Sequence, residues 1–276
     1  MTQFDFKYRE ALREIMNHGL RERNERTGHE TVALPGLTIA IDEGFPLLTL
    51  RKIPIKLFVA EQIWFLTGSN RPDPFLTKFT HIWDDFTEAD GTIAAAYGYR
   101  WRHHFGRDQI GDLVRLLQNE PGSRHGVVMA WDPADDGLGT GTKKKNVPCP
   151  FTFTVTIIAN KLHLHSIIRS NDMMLGAPHD AAGFGLLQHL LAAKLGYQVG
   201  TYTHSISNAH IYDIHYDQAW ELIDRENDHK EVFLECQPDY FDRGEKGDES
   251  LVDEIVEKIN SQYHPLGPIK GLKIVL

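Results

Sequence analysis

Two β-rich runs, Phe151 to Ile158 and Leu162 to Ile168, flank a turn signal at Asn160-Lys161. Runs this short, joined this tightly, fold back on each other as an antiparallel hairpin, so the middle of the chain is committed to a sheet. Thr31 to Ile41, His125 to Trp131 and Val199 to Ile211 add further strand patterns. Helical periodicity occupies the remainder. Phe4 to Asn24 carries apolar residues at Phe4, Tyr8, Leu12, Ile15, Met16 and Leu20, and Ile53 to Thr67 reads as a buried helix. Ile110 to Asn119 is amphipathic and stopped by Pro121-Gly122, while Asp180 to Leu195 closes at Gly196. Tyr212 to Arg225 and Leu251 to Ile259 are the last helical runs. No repeat or Pro/Ser-rich linker interrupts this order, which points to one α+β domain over residues 1–276. Its sheet is expected to be mostly antiparallel or mixed, surrounded by helices.

A chain of 276 residues with 41% hydrophobic content can bury a core of enzyme size. Its net charge of -9 argues against a general nucleic-acid binder, so any anion must be met by local cations. The N-terminus, MTQFDFKYRE, has no apolar signal region, and the most apolar window, Leu57 to Leu66, is short and interrupted by Glu61. A soluble, cytoplasmic protein with no membrane partner is expected. Two cysteines, Cys149 and Cys236, are too few for a disulfide framework and imply a reducing compartment.

The chemistry concentrates in two places. Cys149 stands between prolines in N-V-P-C-P, at the end of a Gly-, Asp- and Lys-rich loop from Asp132 to Asn146. Twenty residues on, R-S-N-D-M-M-L-G-A-P-H-D runs from Arg169 to Asp180. A lone cysteine beside a strand is most often a small buried hydrophobe, but a nearby arginine favours the thiolate and hence a nucleophile. Glu61, inside F-V-A-E-Q-I-W-F-L, is either a structural hydrogen-bonder or an acid/base group. Lys143-Lys144-Lys145 is more often a solvated run than an anion guide. Fifteen histidines, with His163 and His165 on one strand face and His204, His210 and His215 close in sequence, leave a metalloenzyme as a remote alternative. No metal-ligand spacing compels it, and no metal is expected.

Along nearly its whole length the sequence resembles the thymidylate synthases. The matching motifs are R-N-E-R-T-G from Arg23, F-P-L-L-T from Phe45, A-E-Q-I-W-F-L-T-G-S-N from Ala60 and I-W-D-D-F from Ile82. A-Y-G-Y-R-W-R from Ala96, Pro148-Cys149, R-S-N-D-M-M-L-G-A-P and H-I-Y-D-I-H from His210 continue them in order. The resemblance implies a homodimer that binds a pyrimidine nucleoside monophosphate and the co-substrate 5,10-methylenetetrahydrofolate, and builds a one-carbon group onto C5 of the base. It implies Cys149 as nucleophile and Glu61 as buried acid/base. Arg26, Arg169, Ser170 and Arg124 from the second subunit form the phosphate clamp it implies, with Asn171, Asp172 and Asp180 at the nucleotide and His210 and Tyr212 at the sugar. Arg51, Trp83, Asp172, Gly176 and the C-terminal segment to Leu276 fall where such enzymes hold the folate.

Departures from the family pattern bear on the base. His179-Asp180 stand where thymidylate synthases have Phe-Asn, Pro150 replaces a histidine, Ser207-Asn208 replace Gly-Asp, Phe86 replaces a second tryptophan and His125 a second arginine. The family asparagine reads uracil by donating to O4 and accepting from N3–H. A protonated Asp180 can donate to N3 of cytosine and accept from its amino group, the pattern of the deoxycytidylate and cytidylate hydroxymethylases. The expectation from sequence is therefore C5 hydroxymethylation of CMP or dCMP. Thymidylate synthesis from dUMP and methylation of dCMP are the alternatives, and Asp180 as a mere helix cap is the bland one.

Overall fold

The computed structural model describes residues 1–25, 27–137 and 147–275. Helix α1 (Gln3–His18) is started by Thr2, whose hydroxyl accepts the Asp5 N–H at 3.1 Å. Its buried stripe is Phe4, Tyr8, Leu12 and Ile15. It stops six residues before the periodicity suggested. At Gly19 the backbone turns extended (φ -66°, ψ 153°), and a β-carbon there would lie 2.4 Å from the Ile15 carbonyl and 2.7 Å from Val32, so the passage out of the helix has room only for glycine. Residues Leu20–Arg23 instead form strand β1, antiparallel to β2 (Glu30–Ile41), and Leu20 is 70% exposed. One apolar residue in L-R-E-R-N was too little to keep that segment on a core.

Helix α2 (Ile55–Thr67) begins behind Pro54 and ends at Gly68, which takes a left-handed φ of 75°. It packs against α5 (Gly176–Leu195), α7 (Tyr240–Glu245) and α8 (Glu249–Asn260), so apolar and polar faces alike are covered. That enclosure carries Glu61 into the interior. A short turn, α3 (Tyr97–Tyr99), and the amphipathic α4 (Gln109–Asn119) precede β3 (Val127–Met129).

The expected hairpin is β4 (Pro150–Ile158) against β5 (Lys161–Ile168), with Ile158 opposite Lys161. The two turn residues are Ala159 and Asn160, both at positive φ (51° and 61°), one residue earlier than the Asn-Lys signal. This is the primed turn whose twist matches the strands. The long strand β7 (Gln198–Tyr212) organises the sheet, pairing antiparallel with β2 and parallel with β5. The order is β1-β2-β7-β5-β4-β3, with β6 (Asn171–Asp172) also parallel to β7. The result is one open mixed sheet with helices around it, α6 (Tyr216–Asp224) packing on α1.

One boundary matters for chemistry. Helix α5 starts at Gly176, so Asp180 lies in its second turn and its carboxylate is not a cap.

Candidate active site

Beyond the ends of β5, β6 and β7 the chain encloses a cavity of about 1060 Å³. This is at the upper end of the range for a single small molecule and suits two ligands side by side. Cys149, Arg169, Ser170, Asn171, Asp180 and His210 supply its polar lining, and Leu57, Phe65, Trp83, Phe86 and Tyr97 its apolar lining.

Sheet register explains why two residues twenty apart meet. Pro150 pairs with Ile168, which sets Cys149 level with Arg169, and the Arg169 N–H donates to the Cys149 carbonyl at 2.9 Å. The guanidinium then turns back: Nη2 donates to Cys149 Sγ at 3.5 Å and to the Val147 carbonyl at 3.1 Å, and Nε to the Pro148 carbonyl at 2.9 Å. It also lies over the Trp131 ring at 5.8 Å. A fixed cation thus holds the 147–149 segment and faces the sulfur. From the other side the Tyr97 hydroxyl accepts the Cys149 N–H at 3.2 Å. Burial, reinforced by the charges of Cys149 and Asp180, raises the Tyr97 phenol well above its ordinary range, so it stays protonated.

Glu61, 7% exposed, has a donor on each carboxylate oxygen: Trp83 Nε1 to Oε1 at 2.5 Å, and His179 Nε2 to Oε2. Burial pulls the His179 imidazole down, but the charge and hydrogen bond of Glu61 outweigh it and leave His179 raised. From sequence, His179 stands out only as a departure from the family pattern. Its partnership with Glu61 was hidden because 118 residues separate them.

Asp180 ends a buried polar chain. Asn171 Nδ2 donates to Asp180 Oδ2 at 2.8 Å, and Asn171 Oδ1 lies 3.0 Å from His204 Nε2. An amide oxygen only accepts, so His204 Nε2 must carry its proton and Nδ1 accepts from the Tyr202 hydroxyl at 2.8 Å. Burial holds His204 neutral, down to about 3. Burial likewise pushes the Asp180 carboxyl up to about 6, against the opposing pull of His179 and Asn171. At Gly176 a β-carbon would sit 3.0 Å from Asn171 Nδ2, so glycine there leaves the Asn171–Asp180 bond room.

Arg51 Nη2 donates to the Met174 carbonyl at 2.5 Å, and among the described residues its buried Nε has no partner. Asp172 Oδ1 accepts the Met174 N–H at 2.8 Å. His210 bonds Asn208 Oδ1 through Nδ1 at 3.0 Å and meets Tyr212 edge-on at 5.0 Å. Cys149, Glu61, Arg169, Ser170, Asn171, Asp172, Asp180, His210, Tyr212, Arg51, Trp83 and Gly176 all border the one cavity. Arg124 does not: it is exposed beyond α4. Arg26, Leu276 and the lysines at 143–145 lie outside the described residues.

A family model described as thymidylate synthase matches residues 6–254. The chain belongs to the thymidylate synthase family. Thymidylate synthase 1 of Bacillus spizizenii is 32% identical over 244 residues, covering 82% of this chain and 85% of that one. The solved thermostable thymidylate synthase A from Bacillus subtilis superposes with a TM-score of 0.72 at 30% identity, covering 82% of this chain and 86% of that one.

These relatives overturn the expectation of a cytosine-nucleotide hydroxymethylase, since both carry the thymidylate synthase name. The physical reason lies in Asp180. A neutral carboxyl offers one donor and one acceptor, and turned over it suits the O4 and N3–H edge of uracil as well as cytosine. The aspartate therefore does not exclude uracil.

The histidines read as possible metal ligands have other roles. His163 Nδ1 accepts the Thr201 N–H, His165 bonds Ser205, and His204 bonds Asn171. Among the described residues the grouping with ligand-like spacing is His104, Asp132 and Asp135, away from this cavity. No helix among them is long and apolar enough to cross a membrane.

Proposed function

We propose that this protein is a thymidylate synthase that converts dUMP to its 5-methyl product. The carrying observation is the cavity in which Cys149, with Arg169 against its sulfur, faces the same space as Glu61 and the Asn171–Asp180 pair. The Cys149 thiolate adds to C6 of uracil: the S–C6 bond forms and the C5–C6 π pair moves to C5, making C5 a nucleophile. Bound 5,10-methylenetetrahydrofolate supplies the one-carbon unit and then the hydride. Glu61, directly or through one water, takes part in proton transfer at the base while Cys149 is finally expelled from C6.

Asp180, which holds its proton up to about pH 6, reads the base edge in its neutral form. Asn171 occupies Oδ2 as a donor, which leaves the acid proton to Oδ1, where it donates to O4 while the carboxyl accepts N3–H. His210 and Tyr212 at the end of β7 contact the sugar. Arg169, Ser170 and Arg26, with Arg124 of a second copy, clamp the phosphate, and this arrangement makes the active unit a homodimer. The residues present fit a folate: Trp83 and Phe86 offer an aromatic wall, and Arg51, whose Nε has no partner among the described residues, borders the same cavity and suits an acidic group. Asp172, Gly176 and the C-terminal end through Leu276 complete that side.

Release of tritium from C5-labelled dUMP, with dihydrofolate absorbance, tests the reading. Both signals are expected and both should vanish in Cys149→Ser. Tritium release without dihydrofolate would refute methylation.

A further inference from the structure

We propose that His179 is a positioning residue for Glu61: as an imidazolium it forms, with the Trp83 indole, a two-donor clamp that fixes the carboxylate in one rotamer facing the base. The inference rests on the proposed C5 chemistry for its kinetic part, and on the ligand-free protein for the remainder.

Geometry carries it. Glu61 lies on α2 and His179 on α5, two helices in direct contact, and each carboxylate oxygen receives one ring N–H. The His179 ring is itself held edge-on against Phe58 of α2, with centroids 6.2 Å apart. It is therefore not a mobile surface histidine. The charged groups acting on it are Glu61 across the helix pair, Asp180 on its own helix and Arg51 from the segment before α2. Glu61, and Asp180 once it ionises, favour the imidazolium, and Arg51 opposes it.

Two consequences separate this from a packing role. The ion pair, as distinct from the Nε2–H hydrogen bond that a neutral imidazole can also make, exists only while His179 is protonated. Because its folded value is raised above that of a free histidine, the ionic part of the clamp is complete at pH values below the free value and is lost as pH rises through the folded one. His179 also opposes the upward shift of Asp180, so replacing it keeps Asp180 neutral to higher pH. Loss of His179 should thus harm turnover without weakening the base-reading contact.

The test has two arms. In histidine-labelled, ligand-free protein, the His179 NMR signal should titrate above the free-histidine range, and in Glu61→Gln its midpoint should fall by about one unit or more. Equal midpoints in both proteins would overturn the proposal. In the kinetic arm, His179→Phe and His179→Gln should each lower kcat about 10- to 100-fold without raising the nucleotide KM. The alkaline decline of kcat expected of the unaltered enzyme should be absent from both. Unchanged kcat, or a raised KM at unchanged kcat, would also overturn it. If no uracil nucleotide is turned over, the proposed function fails, and the NMR arm alone decides His179.

Discussion

Replacing Asp180 by asparagine should stabilise the ligand-free protein at high pH and leave it unchanged at low pH. In the unfolded chain the carboxyl ionises near 3.8, whereas in the folded cavity it holds its proton to about 6. The folded state is therefore penalised as pH rises from the first value to the second, and the penalty is complete above the folded value. The difference corresponds to roughly 3 kcal/mol at most, and solvent in the open cavity reduces it to about 2 kcal/mol. Asparagine keeps the acceptor for Asn171 Nδ2 and removes the charge, so it escapes this cost. For a chain of this size about 2 kcal/mol is a gain of roughly 3–4 °C in Tm. Thermal unfolding of both proteins at about one pH unit below the unfolded value and two above the folded one is the assay. A gain that is the same at both pH values, or none at the higher, would show that Asp180 is not held neutral by the cavity.

The same aspartate sets the pH response of binding. Above its raised value the nucleotide KM should climb by up to about tenfold per pH unit, and Asp180→Asn should bind dUMP without that climb. A flat wild-type profile would argue against the neutral-acid reading. Glu61→Gln should lower kcat by about 10²–10⁴ while the nucleotide KM changes little, which steady-state kinetics will show. Gly176→Ala should push a β-carbon toward Asn171 Nδ2 and weaken its bond to Asp180, costing about 1 kcal/mol of stability and raising the nucleotide KM. Chelator treatment should leave turnover unchanged, and activity lost with a metal would contradict the folate chemistry.

Local pattern made the architecture largely legible. The β4–β5 hairpin, the all-round apolar α2 and the long β7 stand within two residues of where periodicity and turn residues placed them. The end of α1 was not legible, because the close approach of Val32, which leaves no room for a β-carbon at Gly19, arises only on folding. The start of α5 was missed for a related reason: Pro178 and His179 look like a break, yet proline sits without cost in a first helical turn. At the site, motifs placed Cys149, Glu61 and Arg169 around one cavity. The clamp on Glu61 and the chain from Asp180 to His204 span different elements, and no local spacing encodes them. The base assignment failed on chemistry, since a protonated carboxyl is a donor and an acceptor in either orientation.

The most direct test of the central claim is mass analysis of the nucleotide after incubation of the enzyme with 5,10-methylenetetrahydrofolate and dUMP, run beside CMP and dCMP. Thymidylate synthesis predicts that dUMP gains the mass of one CH2 as an equal amount of dihydrofolate appears. Turnover confined to a cytosine nucleotide, or a product formed without dihydrofolate, would contradict it.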